Sequence, residues 1–257
     1  MSSNTEAGHT KANGNATLAI ASLAAMATYL DSSVLFVAFP DITNSFSNAT
    51  TATLSWVLNA YTITFAALLV PAGKLGDRLG PRRALYVGSA IFTLASMVCG
   101  LAGSIELLIF ARVLQGVGAA VLVPSSLALV LAAFPREKLP QVVAIWGAMG
   151  AFSAALGPSL GGIIVNGLGW RWIFFLNLPI GAATLLLGPR YLKESRNASV
   201  RIPNFLGVAL VALSAGLLSF AIVDSPTSGW ASAKTVGIAL IGVVPVSYTH
   251  LTLPTKA

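Results

Sequence analysis

The chain is a succession of long apolar runs separated by short polar gaps, and the runs lack strict apolar/polar alternation. A helix needs about 20 mostly apolar residues to cross a hydrocarbon core about 30 Å thick. Runs of that kind cover residues 17–39, 55–72, 84–102, 107–130, 142–165, 173–188 and 205–223. An eighth begins near Thr235 and stops after about a dozen residues, too short to span. The missing alternation excludes a membrane β-barrel. Gly and Pro recur inside the runs, which membrane helices tolerate because neighbouring groups re-satisfy the freed backbone. The first run is long, has a weak basic flank and is followed by further runs, so it reads as a span and not as a cleaved signal peptide. The pattern predicts an all-α integral membrane protein.

Composition sharpens this. Hydrophobic residues make up 56% of the chain and charged residues 9%, against about 25% charged in soluble domains. Disorder is excluded by the apolar content, and a disulfide scaffold by the single cysteine, Cys99. A net charge of +7 would suggest nucleic acid, but a nucleic-acid binder gathers its cations on one surface. Here they fall in the gaps. The N-terminal segment and alternate loops hold Lys11; Lys74, Arg78, Arg82 and Arg83; Arg136 and Lys138; and Arg190, Lys193, Arg196 and Arg201, whereas the intervening loops hold only Arg171 and Lys234. The positive-inside rule then places the N-terminus in the cytoplasm of a multi-pass plasma-membrane protein. The bilayer is the partner this charge implies, and a nucleic acid is not needed.

After Val246 the sequence turns to SYTHLTLPTKA, a polar, Thr-rich string that leaves the apolar pattern mid-run. It resembles non-native read-through; the other reading is a genuine short tail behind a re-entrant segment. The expected organisation is a cytoplasmic segment (1–16), six helices (17–192), a basic cytoplasmic loop (193–204), a seventh and a broken eighth helix (205–246), and the string 247–257, all as part of something longer.

Residues 73–83 read GKLGDRLGPRR. Gly73, Gly76 and Gly80 with Pro81 suit a tight turn between closely approaching helix ends. Positive-inside pressure explains Arg78, Arg82 and Arg83, but neither the glycine spacing nor Asp77 among the cations. The pattern resembles the hallmark loop of the major facilitator superfamily, with Pro81 as an extra spacer. Residues 107–120, LLIFARVLQGVGAA, are similar to that superfamily's intramembrane arginine motif, with Arg112, Gln115, Gly116 and Gly118 in place. Gly157, Pro158, Gly161 and Gly162 lie in GPSLGG, which is similar to its antiporter motif. Leu30-Asp31-Ser32-Ser33-Val34 through Pro40, and residues 170–179, WRWIFFLNLP, resemble signatures of the fourteen-helix drug:proton antiporter branch. Phe36 departs from the first of these, where Asn is usual, and leaves substrate details open.

The resemblance implies the N-terminal half of a transporter, whose first and fourth helices line a central pathway and whose other wall belongs to a C-terminal half. It implies efflux of small lipophilic or cationic compounds in exchange for protons. It also implies that Asp77 clamps the two halves in one state of the cycle. A proton-coupled importer of the same superfamily and a non-transporting membrane interaction subunit are the alternatives. The sequence has no HExxH, P-loop or dinucleotide fingerprint, and one Asp and one Arg at membrane depth do not make the nucleophile, metal cluster or paired acids that an enzyme would need. The expectation is therefore no enzyme, no cofactor and no metal, with the proton gradient as the energy source.

The residues add their own argument. A charge such as Arg112 at membrane depth costs about 2.5–3.5 kcal/mol on the mildest scale. Asp31 lies eight residues from the outer end of its run and Arg112 five from the outer start of its own, within roughly 5 Å in depth. Either they share a polar cavity with Gln115, or Arg112 snorkels and Asp31 stands alone. Asp31 shares a helical stripe with Ala24, Thr28, Val34 and Ala38, and Arg112 with Gln115, Gly116, Ala119 and Val123. Pro124 should bend its helix. A carboxylate shared between a proton and a cationic substrate is one site for two mutually exclusive cations. Gly147, Gly150, Ala154, Gly157 and Gly161 have the three-four spacing of a left-handed small-residue seam, for ordinary packing or for rocking. Cys99 is expected to be a small buried side chain, Trp170 and Trp172 to be interface anchors, and terminal His9 and His250 to bind no metal.

Overall fold

The computed structural model describes the backbone over residues 2–194 and 205–252, and side chains over 14–194, 210, 213–226 and 228–243. Expectations for Lys11, His9, Arg196, Arg201 and His250 fall outside the described side chains. The helices are α1 (Ser2–Ser45), α2 (Thr51–Leu79), α3 (Pro81–Leu101), α4 (Ile105–Ala133), α5 (Leu139–Leu168), α6 (Trp172–Phe175), α7 (Asn177–Tyr191), α8 (Phe205–Ser228) and α9 (Ala233–Thr252). Among the described residues there is no strand. Six segments are long and apolar enough to cross a membrane: Gly14–Ser45, Thr51–Leu79, Pro81–Leu101, Ile105–Ala133, Arg136–Leu168 and Trp172–Tyr191.

Except at the C-terminal end of α3, these segments overrun the apolar runs at both ends. Hydropathy marks the hydrocarbon thickness, whereas the backbone ladder continues into the interface until a cap or a turn stops it. Thr50 Oγ1 accepts from the Thr53 N–H at 3.2 Å, and Ser104 Oγ from the Leu107 N–H at 3.2 Å; each starts a helix as a side-chain cap. Likewise α9 stays helical to Thr252, past the point where the polar string begins. The sixth span is divided at Leu176. Pro179 has no N–H for the carbonyl four residues back, at Phe175, and the ladder lapses there.

Helix α4 is the hub, packing against α1, α2, α3 and α5, while α1 also packs against α5 and α7, and α8 against α2 and α9. One apolar cluster gathers Leu30, Val34, Leu54, Leu108, Trp170 and Phe174; a second gathers Ile20, Tyr61, Leu85, Phe92 and Leu122. The outer surface carries exposed apolar side chains such as Phe36, Leu94, Phe110, Ile163 and Leu186, as a lipid-facing surface requires.

Two expectations are corrected. The buried row on α5 is Gly150, Ser153, Gly157, Gly161 and Val165, with Gly147 and Ala154 exposed. Its spacings exceed 3.6 on average, the drift of a right-handed crossing and not of a left-handed seam. Trp170 is a core residue: it is buried, donates Nε1–H to Ser45 Oγ at 2.9 Å, and lies edge-on to Phe174 beneath the Arg171 guanidinium. Trp172, half exposed, retains the surface position.

A closed polar cluster between the first, fourth and sixth spans

Between the two apolar clusters lies a group of polar side chains. Arg112 Nη1 donates to Asp31 Oδ2 at 2.5 Å and to Gln115 Oε1 at 2.6 Å, and Arg112 Nε donates to the Val57 carbonyl at 3.1 Å. Gln115 Nε2 donates to Asp31 Oδ1 at 2.7 Å and to Ser96 Oγ at 2.7 Å. Asn177 Nδ2 donates to Asp31 Oδ1 at 2.8 Å and to Ser96 Oγ at 3.2 Å. The Arg112 guanidinium lies over the Tyr61 ring, 4.2 Å from its centre, and the Tyr61 hydroxyl reaches the Thr28 carbonyl at 3.4 Å. Cys99 is buried as expected, and its thiol also reaches Gln115 Oε1 at 3.7 Å.

The sequence builds this group from local rules. Arg112 and Gln115 are three residues apart on α4 and so share a face, while Gly116 lets α2 and Gly118 lets α3 come close. At Gly116 an added Cβ would lie 2.8 Å from the Tyr61 carbonyl oxygen. The stripe expected around Asp31 is buried throughout: Ala24, Thr28, Val34 and Ala38 all face the protein. The site is closed, however. Arg112 is 1% and Asp31 5% exposed, so the shared polar site is a packed network and not an open cavity wall. Arg112 does not snorkel, because Asp31, Val57 and Gln115 satisfy it in place. Sequence reasoning did not include Asn177, Ser96 or Tyr61. For Asn177 a signal was present, an amide inside an apolar run just after the aromatic WRWIFF string.

The loop 73–83 is a tight turn. Gly73 packs against Pro124, and Gly76 is buried where a Cβ would lie 3.1 Å from Ser125 Oγ. Gly80 ends α2 with φ of 105°, a left-handed conformation that glycine adopts without strain, and its N–H donates to the Gly76 carbonyl at 2.9 Å. Asp77 is exposed in the last turn of α2, flanked by exposed Lys74 and Arg78, and has no ion-pair partner among the described residues. Arg82 donates from Nε to the Tyr86 hydroxyl at 3.1 Å and from Nη2 to the Pro189 carbonyl at 3.3 Å, while Arg83 is exposed. The Glu194 carboxylate accepts from the Arg82 backbone N–H at 3.3 Å. The loop is thereby fastened to the end of the sixth span.

Of the motif on α5, Gly157 and Gly161 press on α1, at Ser33 and Val34; Pro158 is exposed and an added Cβ at Gly162 would meet open space. Phe36 is 67% exposed and points away from the cluster.

Three comparisons bear on this arrangement. The chain is 40% identical over 221 residues to the multidrug resistance protein Stp of Mycobacterium tuberculosis, covering 86% of this chain and 41% of that protein. It is 35% identical over 231 residues to the tetracenomycin C resistance and export protein of Streptomyces glaucescens, covering 89% and 42%. The chain thus spans less than half the length of these curated relatives. A crystal structure of the peptide transporter POT superposes with a TM-score of 0.67 at 15% identity, over 95% of this chain and 52% of that one, and shares the fold. Residues 21–205, from the middle of α1 to the start of α8 and with the whole polar cluster inside them, match the family model of the Major Facilitator Superfamily, and the chain belongs to that family.

Proposed function

We propose that this chain is the N-terminal half, with two further helices, of a proton-coupled exporter of small lipophilic or cationic compounds in the fourteen-helix branch. Its substrate site would be completed by a C-terminal half. The observation that carries the reading is Asp31: a carboxylate at membrane depth, surrounded by donors and joined to the buried Arg112 of another span. A carboxylate paired in that way can give up Arg112 for a proton or for a substrate cation, but not for both. The names of the two relatives, one for multidrug resistance and one for resistance and export, support outward transport, as does the motif at Gly157, Pro158, Gly161 and Gly162 against an importer.

In this reading the N-terminus is cytoplasmic, as the loop cations require, and the proton gradient drives the cycle. Gly73, Gly76 and Gly80 hold the 73–83 turn compact while Asp77, Arg78, Arg82 and Arg83 face the cytoplasm. Exposed Asp77 would meet a helix N-terminus of the other half, where the positive end of the macrodipole favours a carboxylate. Access alternates as one half rocks on the other around a fixed site.

Burial of the cluster favours a second reading, a permanent structural pair. Everted vesicles carrying the whole transporter separate the two. Proton release on adding a lipophilic cation, lost in Asp31→Asn at normal folded yield, supports antiport. Unchanged pH-dependent export by well-folded Asp31→Asn overturns it.

A further inference from the structure

All the polar groups bonded to Asp31 are donors. Arg112 Nη1 serves Oδ2, and Gln115 Nε2 and Asn177 Nδ2 both serve Oδ1. Such a shell suits a carboxylate and offers no acceptor to the hydrogen of a carboxylic acid. Proton uptake in this packed site therefore needs one of the two amides to present its oxygen. Gln115 is tied, since its Oε1 accepts from Arg112 Nη1 at 2.6 Å and from the Cys99 thiol. Asn177 is not tied: its Oδ1 is buried and has no hydrogen-bond partner.

We propose that Asn177 is an amide switch for the protonation of Asp31, donating from Nδ2 to the carboxylate and, once the carboxylate takes a proton, turning over so that Oδ1 accepts from the new Oδ1–H of Asp31. The inference deepens the proton-coupled reading and rests on it. The step needs one proton from water in the pathway. One O–H bond of a hydronium ion breaks and leaves water, one O–H bond forms on Asp31 Oδ1, and the side chain goes from one negative charge to none. Arg112 keeps the Val57 carbonyl, Gln115 Oε1 and the Tyr61 ring as partners.

Either orientation of the Asn177 amide leaves part of it unmet, Oδ1 in one and Nδ2 in the other, so the charge on Asp31 decides between them. Ser96 follows the turn. Its Oγ now accepts from Asn177 Nδ2, and its own hydrogen, given to the Phe92 carbonyl at 2.9 Å, is free to rotate toward Oδ1. The other ionisable groups at the site are Arg112 from α4, Tyr61 from α2 and Cys99 from α3, with Tyr29 on α1 itself. Helix α5 carries no ionisable side chain, and α7 carries only Arg190 and Tyr191, in its last turn. Asn177 is a positioning residue in this scheme: it sets where the proton rests without transferring it.

The test is infrared difference spectroscopy of the full chain in liposomes, with side-chain-labelled asparagine, between alkaline and acidic buffer. On acidification the carboxylic-acid band of Asp31, identified by its absence in Asp31→Asn, should rise. The Asn177 carbonyl band should fall in frequency with it, as an unbonded carbonyl gains a donor. Asn177→Gln, read with side-chain-labelled glutamine in place of labelled asparagine, keeps both amide groups and should show the paired change at a shifted frequency. Asn177→Leu should remove the amide band and shift the Asp31 acid band to that of an unbonded hydroxyl. If the Asp31 band rises while the Asn177 band stays still, the switch falls and the coupling reading stands. If no Asp31 acid band rises at all, both fall. A merely structural Asn177 would not move with pH, and the measurement on the unsubstituted chain holds even if Asn177→Leu does not fold.

Discussion

Arg112 Nη1 lies 2.5 Å from Asp31 Oδ2, across 81 residues of chain and between two different spans, with both side chains withdrawn from the surface. Removing one partner of a buried pair ordinarily costs about 3–5 kcal/mol, because the other charge is left uncompensated. The two partners are not equally dependent. Without Asp31, Arg112 keeps the Val57 carbonyl, Gln115 Oε1 and the Tyr61 ring. Without Arg112, a carboxylate remains on neutral donors alone. We therefore expect Arg112→Leu to lose the larger share of folded yield, with Asp31→Asn well below the cost of a bare buried cation. Denaturation in detergent, followed by tryptophan fluorescence, checks the order. Rescue of Arg112→Leu by adding Asp31→Asn would mark a pair whose role is structural.

Tyr61 supplies a ring face to that guanidinium at 4.2 Å, with both side chains buried. A desolvated contact of this kind is worth about 2 kcal/mol. Tyr61→Phe keeps the face and loses only a 3.4 Å bond to the Thr28 carbonyl, so it should be nearly neutral. Tyr61→Leu should lower stability by roughly the cation–π amount. Equal effects of the two substitutions would place the importance in the hydroxyl.

The α5 contact gives a positional prediction. An added Cβ at Gly157 would overlap Ser33, with Cβ at 2.5 Å and the backbone carbonyl carbon at 3.1 Å, whereas Gly147 and Gly162 open onto free space. Gly157→Ala should cost about 1–3 kcal/mol through overpacking against α1. Gly147→Ala and Gly162→Ala should be neutral or gain up to about 1 kcal/mol from helix propensity. Thermal unfolding of the three variants distinguishes this row from a seam that runs through Gly147.

These cases show how much could be read from the residues alone. The order of the first six spans is legible because a run of apolar residues long enough to cross a bilayer has few other uses. Depth counting along two runs was enough to bring Asp31 and Arg112 to one level. It could not show that the site is closed, since closure depends on Asn177 and Ser96 arriving from other spans. Nor could it separate Gly150 from Gly147, because small residues at three-four spacing satisfy two crossing hands and only the partner helix chooses. Trp170 was misplaced for a related reason: aromatic residues at a span's end suit an interface, but Phe46 and Phe174 enclose this one.

Glu194 sets the geometry of the cytoplasmic turn. Its carboxylate accepts from the Arg82 N–H at 3.3 Å in the first turn of α3, where unpaired backbone donors and the positive end of the helix dipole meet. An N-terminal cap of this kind is worth about 0.5–2 kcal/mol. Glu194→Ala should cost that much, and Glu194→Gln less. The loss should concentrate at the start of α3, read as faster amide hydrogen exchange at residues 82–84. Exchange that stays unchanged there while global stability falls would argue against the cap.

Asp77 shows the opposite economy. It stands exposed in the last turn of α2, at the negative end of that helix's dipole, without an ion-pair partner among the described residues. A carboxylate there is mildly unfavourable, so Asp77→Asn in this chain should leave stability unchanged or raise it by about 0.3–1 kcal/mol. A residue kept where it does not help its own helix is suited to a contact made only in part of a cycle. In the whole transporter, Asp77→Asn should therefore slow turnover while leaving substrate binding largely intact. Stopped-flow binding and vesicle flux on the same variant make the comparison. Parallel loss of binding and turnover, or a clear fall in the stability of the chain itself, would make Asp77 a structural residue of the turn and remove it from the conformational cycle.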